Sequence, residues 1–344
     1  MSIIVALLIF GLLIFFHELG HFLLAKRGGI GVTSFSLGMG PAILKKQIGE
    51  TEYALRILPF GGSCAMVGED EDSDAENAFN KKGVWTRISV VAAGPIFNFI
   101  LAFLGSVIMV LCVGVDKPII TEMIDGYPAY EAGVRAGDEI ISMNGRNIGV
   151  YRDVSMYIQL HQGEPIDLVY ERDGERYETT IVPKIGEDGY YLMGITGGAY
   201  TKCDDPLEVI KYAGCEVGYW IHMVFDSLKL MVTGQVGRED VGGPVRIVSM
   251  IGETYEQSAA ISGFWVFISM LNMVIFLSAN LGVMNLLPIP ALDGGRLFFL
   301  LIEAVTRKRV PADKEGYIHL AGFAVLMALM VLILFNDISL MFFE

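Results

Sequence analysis

The chain has 344 residues, 53% of them hydrophobic, and a formal net charge of −14. So apolar a composition excludes an ordinary soluble protein and, beside a polar middle, describes a membrane protein carrying one inserted soluble domain. The acidic balance, with no basic stripe to track phosphates, excludes nucleic acid as a partner.

Residues 3 to 25 form an apolar run long enough to span a bilayer as a helix of about 20 residues, and it ends at Lys26 and Arg27. No basic stretch precedes it, so it is expected to stay in the mature protein rather than leave as a signal peptide. Within it lies His17-Glu18-Leu19-Gly20-His21. On a helix the two histidines, four apart, project from one face and can share a metal, with Glu18 close enough to act on water at that metal. Placing a carboxylate at membrane depth costs about 2.5 to 3.5 kcal/mol on insertion scales, so such residues mark a functional interior. The basic residues Lys45, Lys46, Arg56, Lys81 and Lys82 in the following loop make that side cytoplasmic and the amino terminus external. Counting back from Lys26 puts Glu18 roughly 12 Å from the cytoplasmic end of its helix.

From Thr33 to Met66 glycine and β-favouring residues dominate, Thr51 to Ile57 alternates as a strand does, and Pro59-Phe60-Gly61-Gly62 breaks the run. Two readings stand: a small cytoplasmic sheet, or a hairpin folded back on the spans that offers an edge to an extended peptide. The acidic run Glu69 to Glu76 is expected to be a solvated turn. A second apolar run from Trp85 to about Val113 contains Gly94-Pro95 and Asn98, an amide that either glues helices or faces the reaction.

Composition turns soluble and acidic from Asp116 to about Lys184, with strand-like runs at Glu139 to Met143 and Ile166 to Tyr170 and turns at Asn144-Gly145 and Asp173-Gly174. The stretch from Pro128 to Gly145 closely resembles the bacterial PDZ signature, which implies a domain that binds an extended chain by strand addition. Pro206 to Val232 carries charges on every turn and is expected to be an amphipathic helix on the outer surface. Phe264 to Leu287 is a third span running inward. It ends in Asn285 and then Pro288-Ile289-Pro290-Ala291-Leu292-Asp293-Gly294-Gly295, which cannot continue a regular helix. Arg296, Arg307, Lys308 and Arg309 keep this end cytoplasmic, so Asp293 arrives on the side of the histidines, as a metal ligand or as a cap on the broken chain. Ile318 to Phe335 returns outward as a fourth span. Cys64, Cys112, Cys203 and Cys215 contain no C-x-x-C pair and build neither a metal site nor a disulfide framework; Cys203 and Cys215 could pair on an oxidising side, but isolated thiols in apolar surroundings are expected.

In this order His17 to His21, Tyr53 to Glu69, Val84 to Asn98, the PDZ segment, Gly242-Gly243-Pro244-Val245 and Asn285 to Gly295 resemble the site-2 protease family of intramembrane metalloproteases, in its bacterial regulator of sigma-E protease branch with a single PDZ domain. The resemblance implies zinc held by His17, His21 and Asp293, Glu18 as general base and acid, Asn98 and Asn285 on the substrate backbone or reacting carbonyl, and Thr33 to Met66 as a membrane-reentrant β element. The expected fold class is a polytopic α-helical membrane protein: four transmembrane helices, the reentrant β element and one inserted α+β PDZ domain. The divisions are 1–114, the first two spans with the β element; 115–185, the PDZ domain; 186–262, an extracytoplasmic amphipathic connector; and 263–344, the last two spans. Its implied substrates are single-span membrane proteins, of anti-sigma factor or remnant signal peptide type, trimmed outside by an upstream site-1 protease. The implied location is the bacterial plasma membrane, with the amino terminus and PDZ domain extracytoplasmic. Two competing readings are a catalytically inactive PDZ scaffold, which bound zinc would argue against, and a metal transporter, which flux without proteolysis would favour.

Overall fold

The structure, a computed structural model, describes residues 2–69, 73–235, 237 and 242–343. It separates into two compact units, Met1–Ala102 with Leu230–Glu344, and Phe103–Lys229. Four helices are long and apolar enough to cross a membrane: Ile3–Arg27, Val84–Val113, Gly263–Leu286 and Lys314–Ser339.

Helix α1 (Ser2–Arg27) is followed by strands β1 (Val32–Ile48) and β2 (Thr51–Met66) and by helix α2 (Val84–Val113), which carries Pro95 inside it. Both strands bend, and their register sets four segments side by side. Lys45–Ile48 pair with Thr51–Ala54, while Ser34–Leu37 are partnered by Glu52–Leu55 on one flank and by Gly62–Ala65 on the other. Positive φ at Gly38 (87°) and Gly40 (84°) lets β1 fold over. The break expected at residues 59–62 is therefore a change of partner within β2 rather than the end of a strand. Residues 70–72 of the acidic run lie outside the described residues.

The second unit holds β3 (Val115–Asp116), β4 (Ile120–Met123), α3 (Pro128–Glu131), β5 (Glu139–Met143), β6 (Arg146–Asn147), α4 (Tyr151–Leu160), β7 (Ile166–Arg172), β8 (Glu175–Ile181), β9 (Lys184–Ile185), β10 (Tyr191–Leu192), β11 (Ile195–Gly197), β12 (Tyr200–Thr201) and α5 (Pro206–Val232). A four-stranded sheet in the order β6-β5-β7-β8 packs Ile140, Met143, Ile166 and Leu168 against Val154 and Ile158 of α4. Strands β11 and β12 pair back to β4 and β3. Arg152 on α4 bonds Asp116 at 3.0 Å and also Glu216 on α5, and Arg146 bonds both Asp153 at 2.9 Å and Asp226 at 2.6 Å. The polar face of α5 thus includes a buried carboxylate, Glu216, that serves the ion network rather than solvent.

In the first unit the chain continues through α6 (Pro244–Ile261), α7 (Gly263–Leu286), α8 (Asp293–Thr306) and α9 (Ala312–Phe343). Helix α6 packs on α1, α7 and α9. Its first turn is held by the buried Asp337 of α9, whose carboxylate accepts from the backbone N–H groups of Gly243, Val245 and Arg246 at 2.9 to 3.2 Å. Gly243 is required there, because a Cβ would lie 2.7 Å from Asp337 Oδ2.

Candidate metal centre

One face of α1 presents His17 and His21 to the first residue of α8, Asp293. The three atoms aimed at a common point are close to equidistant: His17 Nε2 to His21 Nε2 is 3.3 Å, His17 Nε2 to Asp293 Oδ2 is 3.2 Å, and His21 Nε2 to Asp293 Oδ2 is 3.4 Å. Two imidazoles and a carboxylate on one tetrahedral zinc, with bonds of about 2.0–2.1 Å, would hold their donor atoms roughly 3.3–3.4 Å apart. The triangle therefore fits zinc with a fourth position left open, and among the described residues it is the one cluster of this kind.

Each histidine is oriented from behind by α2. His21 Nδ1 donates to the carbonyl of Val90 at 2.9 Å, which leaves Nε2 with its lone pair toward the centre. Asn98, with no exposed surface, sets its amide nitrogen 3.2 Å from His17 Nδ1, while its Oδ1 is buried with no hydrogen-bond partner. For His17 Nε2 to offer a lone pair, Nδ1 must carry the proton and its neighbour must accept it. A half-turn of the Asn98 amide supplies that acceptor and removes the partnerless oxygen. The expectation that Asn98 touches substrate thus meets a side chain seated beneath His17, away from open space. The helices approach closely here because both contact residues are glycine. A Cβ on Gly20 would lie 2.3 Å from the Ala93 carbonyl oxygen, and one on Gly94 would lie 2.2 Å from His21 Nε2 and 2.7 Å from His17 Cε1.

Asp293 comes from the other end of the sequence. Helix α7 ends at Leu286, the chain crosses Leu287 to Leu292 without helix, and α8 starts at Asp293 itself. The third span does not continue through this stretch, as its prolines and glycines lead one to expect. Gly294 and Gly295 lie in the first turn of the new helix α8, which rests on the preceding chain so closely that a Cβ on Gly294 would be 2.0 Å from the Leu287 carbonyl oxygen. Asn285 stands half-buried in the last turn of α7.

A cavity of about 290 Å³ opens on the triangle, lined by Glu18, by Ser63 to Met66 of β2, and by Glu69, Leu292 and Arg296. Glu18 is pinned between α1 and β2, since a Cβ on Gly62 would lie 2.8 Å from its Cγ. The lining segment of β2 is the outermost of the four in the sheet, so one edge of the sheet borders the cavity.

Comparison with known proteins gives the family of the chain. The sequence profile of Peptidase family M50 matches residues 5–329. A Clostridium acetobutylicum protein is 40% identical over 338 residues, covering 98% of this chain and 97% of its own. The zinc metalloprotease RasP of Bacillus licheniformis is 32% identical, and the regulator of sigma-W protease RasP of Bacillus subtilis 30% identical, each with 99% of both chains covered. The chain belongs to Peptidase family M50. It is an intramembrane zinc metallo-endopeptidase of the site-2 type, acting in regulated intramembrane proteolysis.

Several residues around the candidate centre were not singled out from sequence. Val90 contributes only a carbonyl, which any residue would supply. Glu69 and Arg296, both on the cavity wall, are paired with each other, and Arg87 of α2 is paired with Glu303 of α8. In the sequence Arg296 signals only topology, and Arg87, 5% exposed, ties together the two helices that frame the site.

Proposed function

We propose that this M50 protease cuts single-span membrane proteins at a bond brought to His17, His21 and Asp293 in extended form. The observation that carries the reading is the near-equilateral donor triangle with Glu18 and a sheet edge on the same cavity. Zinc held there supplies a Lewis acid that polarises the peptide carbonyl and brings the pKa of water to about 7. Glu18 takes the proton of the attacking water and returns it to the departing amide nitrogen. Val90 and Asn98 keep the two imidazoles in the tautomer that binds metal. An intact helix shields its own backbone, so the substrate unwinds, and the Ser63 to Met66 edge offers main-chain partners to the resulting strand. Asn285 is assigned to the substrate backbone by family resemblance alone.

The β1–β2 sheet serves as the membrane-reentrant element. Met39, Ile43, Leu44, Ile57 and Leu58 are all more than half exposed, an apolar surface that lipid would cover. The Lys/Arg distribution supports residues 28–82 and 296–309 inside and 116–241 outside. With that topology the PDZ-type domain lies outside and checks that a substrate's ectodomain has been removed by a site-1 protease. The sigma-W name of a full-length relative supports anti-sigma factors as one substrate type. Zinc analysis and X-ray absorption on purified Asp293→Asn test the ligand set: reduced zinc with a changed coordination shell is expected, and unchanged content and coordination would overturn it.

A further inference from the structure

Asp293 reaches the histidines through a turn that is costly to make with the residues present. The Leu292 N–H bonds the Ile289 carbonyl at 3.2 Å, with Pro290 and Ala291 between them, and Ala291 has φ +76°. This is a type II turn, whose third residue must adopt positive φ and is ordinarily glycine or asparagine. Alanine there is strained, so something outside the turn has to hold it. Helix α9 does so from one face. Gly322 makes room for Pro290, since a Cβ would lie 2.3 Å from Pro290 Cβ. One turn earlier, His319 Nδ1 accepts from the Ala291 N–H at 2.9 Å. That bond requires the proton of a neutral His319 to sit on Nε2, which faces Glu315 Oε1 at 3.8 Å, and the ring is braced by Phe299 of α8 with centroids 5.9 Å apart.

We propose that His319 is a positioning residue of the metal centre: its Nδ1 holds Ala291 in the left-handed turn that delivers Asp293 to His17 and His21, and so sets how firmly zinc is kept. The inference rests on Asp293 being a ligand. His319 is not one of the three ligands; it acts through two residues of backbone.

The test uses the full-length protein in detergent, loaded with zinc and challenged with excess chelator, with zinc loss followed in time and thermal unfolding as the control for fold. In His319→Asn the amide oxygen sits where Nδ1 sits and can still accept, so zinc should leave at close to the wild-type rate. His319→Gln carries its oxygen one atom too far, and zinc should leave about tenfold faster, at the lower end of what lost support around a ligand costs. Glycine adopts positive φ freely, so adding Ala291→Gly to His319→Gln should bring the rate most of the way back. If His319→Gln does not accumulate, His319→Leu gives the same contrast with His319→Asn. Equal loss in the glutamine and asparagine variants with no recovery by glycine would mean a packing role and overturn the proposal, as would wild-type retention in His319→Gln. Asp293→Asn runs alongside. Wild-type retention there would overturn the ligand assignment itself, whereas fast loss there with none in His319→Gln would overturn only the positioning role.

Discussion

Gly94→Ala adds one methyl to α2 at the point where both imidazoles lean on the helix. The new Cβ would stand 2.2 Å from His21 Nε2 and 2.6 Å from its Cε1, against an ordinary contact distance of about 3.5 Å. The ring must therefore retreat by roughly 1 Å or more, whereas a metal site tolerates bond-length changes of about 0.2 Å. The retreat also pulls Nδ1 from the Val90 carbonyl, its 2.9 Å partner. Crowding of this kind costs about 1–3 kcal/mol, and a 1 Å misplacement of a reacting group costs about 100-fold in rate. Helix propensity works in the opposite direction, because alanine is better than glycine in a helix interior by roughly 1 kcal/mol. Global stability should thus fall by no more than about 2 kcal/mol, while zinc per chain falls and cleavage of a single-span reporter drops by about 100-fold or more. Full zinc occupancy with wild-type cleavage in the purified variant would refute the packing argument.

Gly62→Ala should separate chemistry from metal, because its Cβ would press on Glu18 Cγ at 2.8 Å and touches no ligand; zinc content holds and turnover falls, and equal loss of both would contradict this. Asp337→Ala leaves three N–H groups at the start of α6 without their acceptor, and should cost about 1–3 kcal/mol of stability in detergent unfolding. Burial raises the Glu216 carboxyl above its ordinary value of 4.5, with Arg152 opposing. Between pH 4.5 and the raised value the folded chain holds a proton that the unfolded chain has released, and above that value Glu216 is the carboxylate paired with Arg152. The resulting stabilisation is full below 4.5 and is lost as pH rises through the raised folded value. Glu216→Gln should flatten that decline in pH-dependent unfolding, and an unchanged slope would remove Glu216 as its source.

The long helices were legible because their signals are local. The bounds expected for the amphipathic helix, Pro206 to Val232, coincide with those of α5, and the apolar runs match α1, α2 and α7 to within a few residues. Helix α6 was hidden in the connector: its mixed composition gives no span signal, although Gly243-Pro244 is a start signature that Pro at the first helical position could have revealed. Strands β9 to β12 have two or three residues each and pair with distant segments, so no period exists to detect. At the site, the four-residue spacing of the histidines fixed their shared face, and the side-of-membrane argument brought Asp293 to them. What the sequence could not say is which way Asn98 points, since an amide on a membrane helix reads the same whether it meets a substrate or supports a ligand. That a new helix starts at Asp293, with Gly294 and Gly295 in its first turn, was not legible for a related reason. Glycines in a helix's first turn answer to the chain packed against them, which is a tertiary fact.

In the proposed mechanism His17, His21 and Asp293 hold zinc and Glu18 moves the proton as a peptide bond within the membrane is hydrolysed. The most direct test compares purified wild type with Glu18→Gln on a single-span reporter in detergent, with zinc content measured on the same samples. Glutamine fills the same volume but cannot accept the proton, a step worth about 10²- to 10⁴-fold in rate. Equal zinc with cleavage reduced by at least about 100-fold is the expected result; equal zinc with undiminished cleavage would contradict the mechanism.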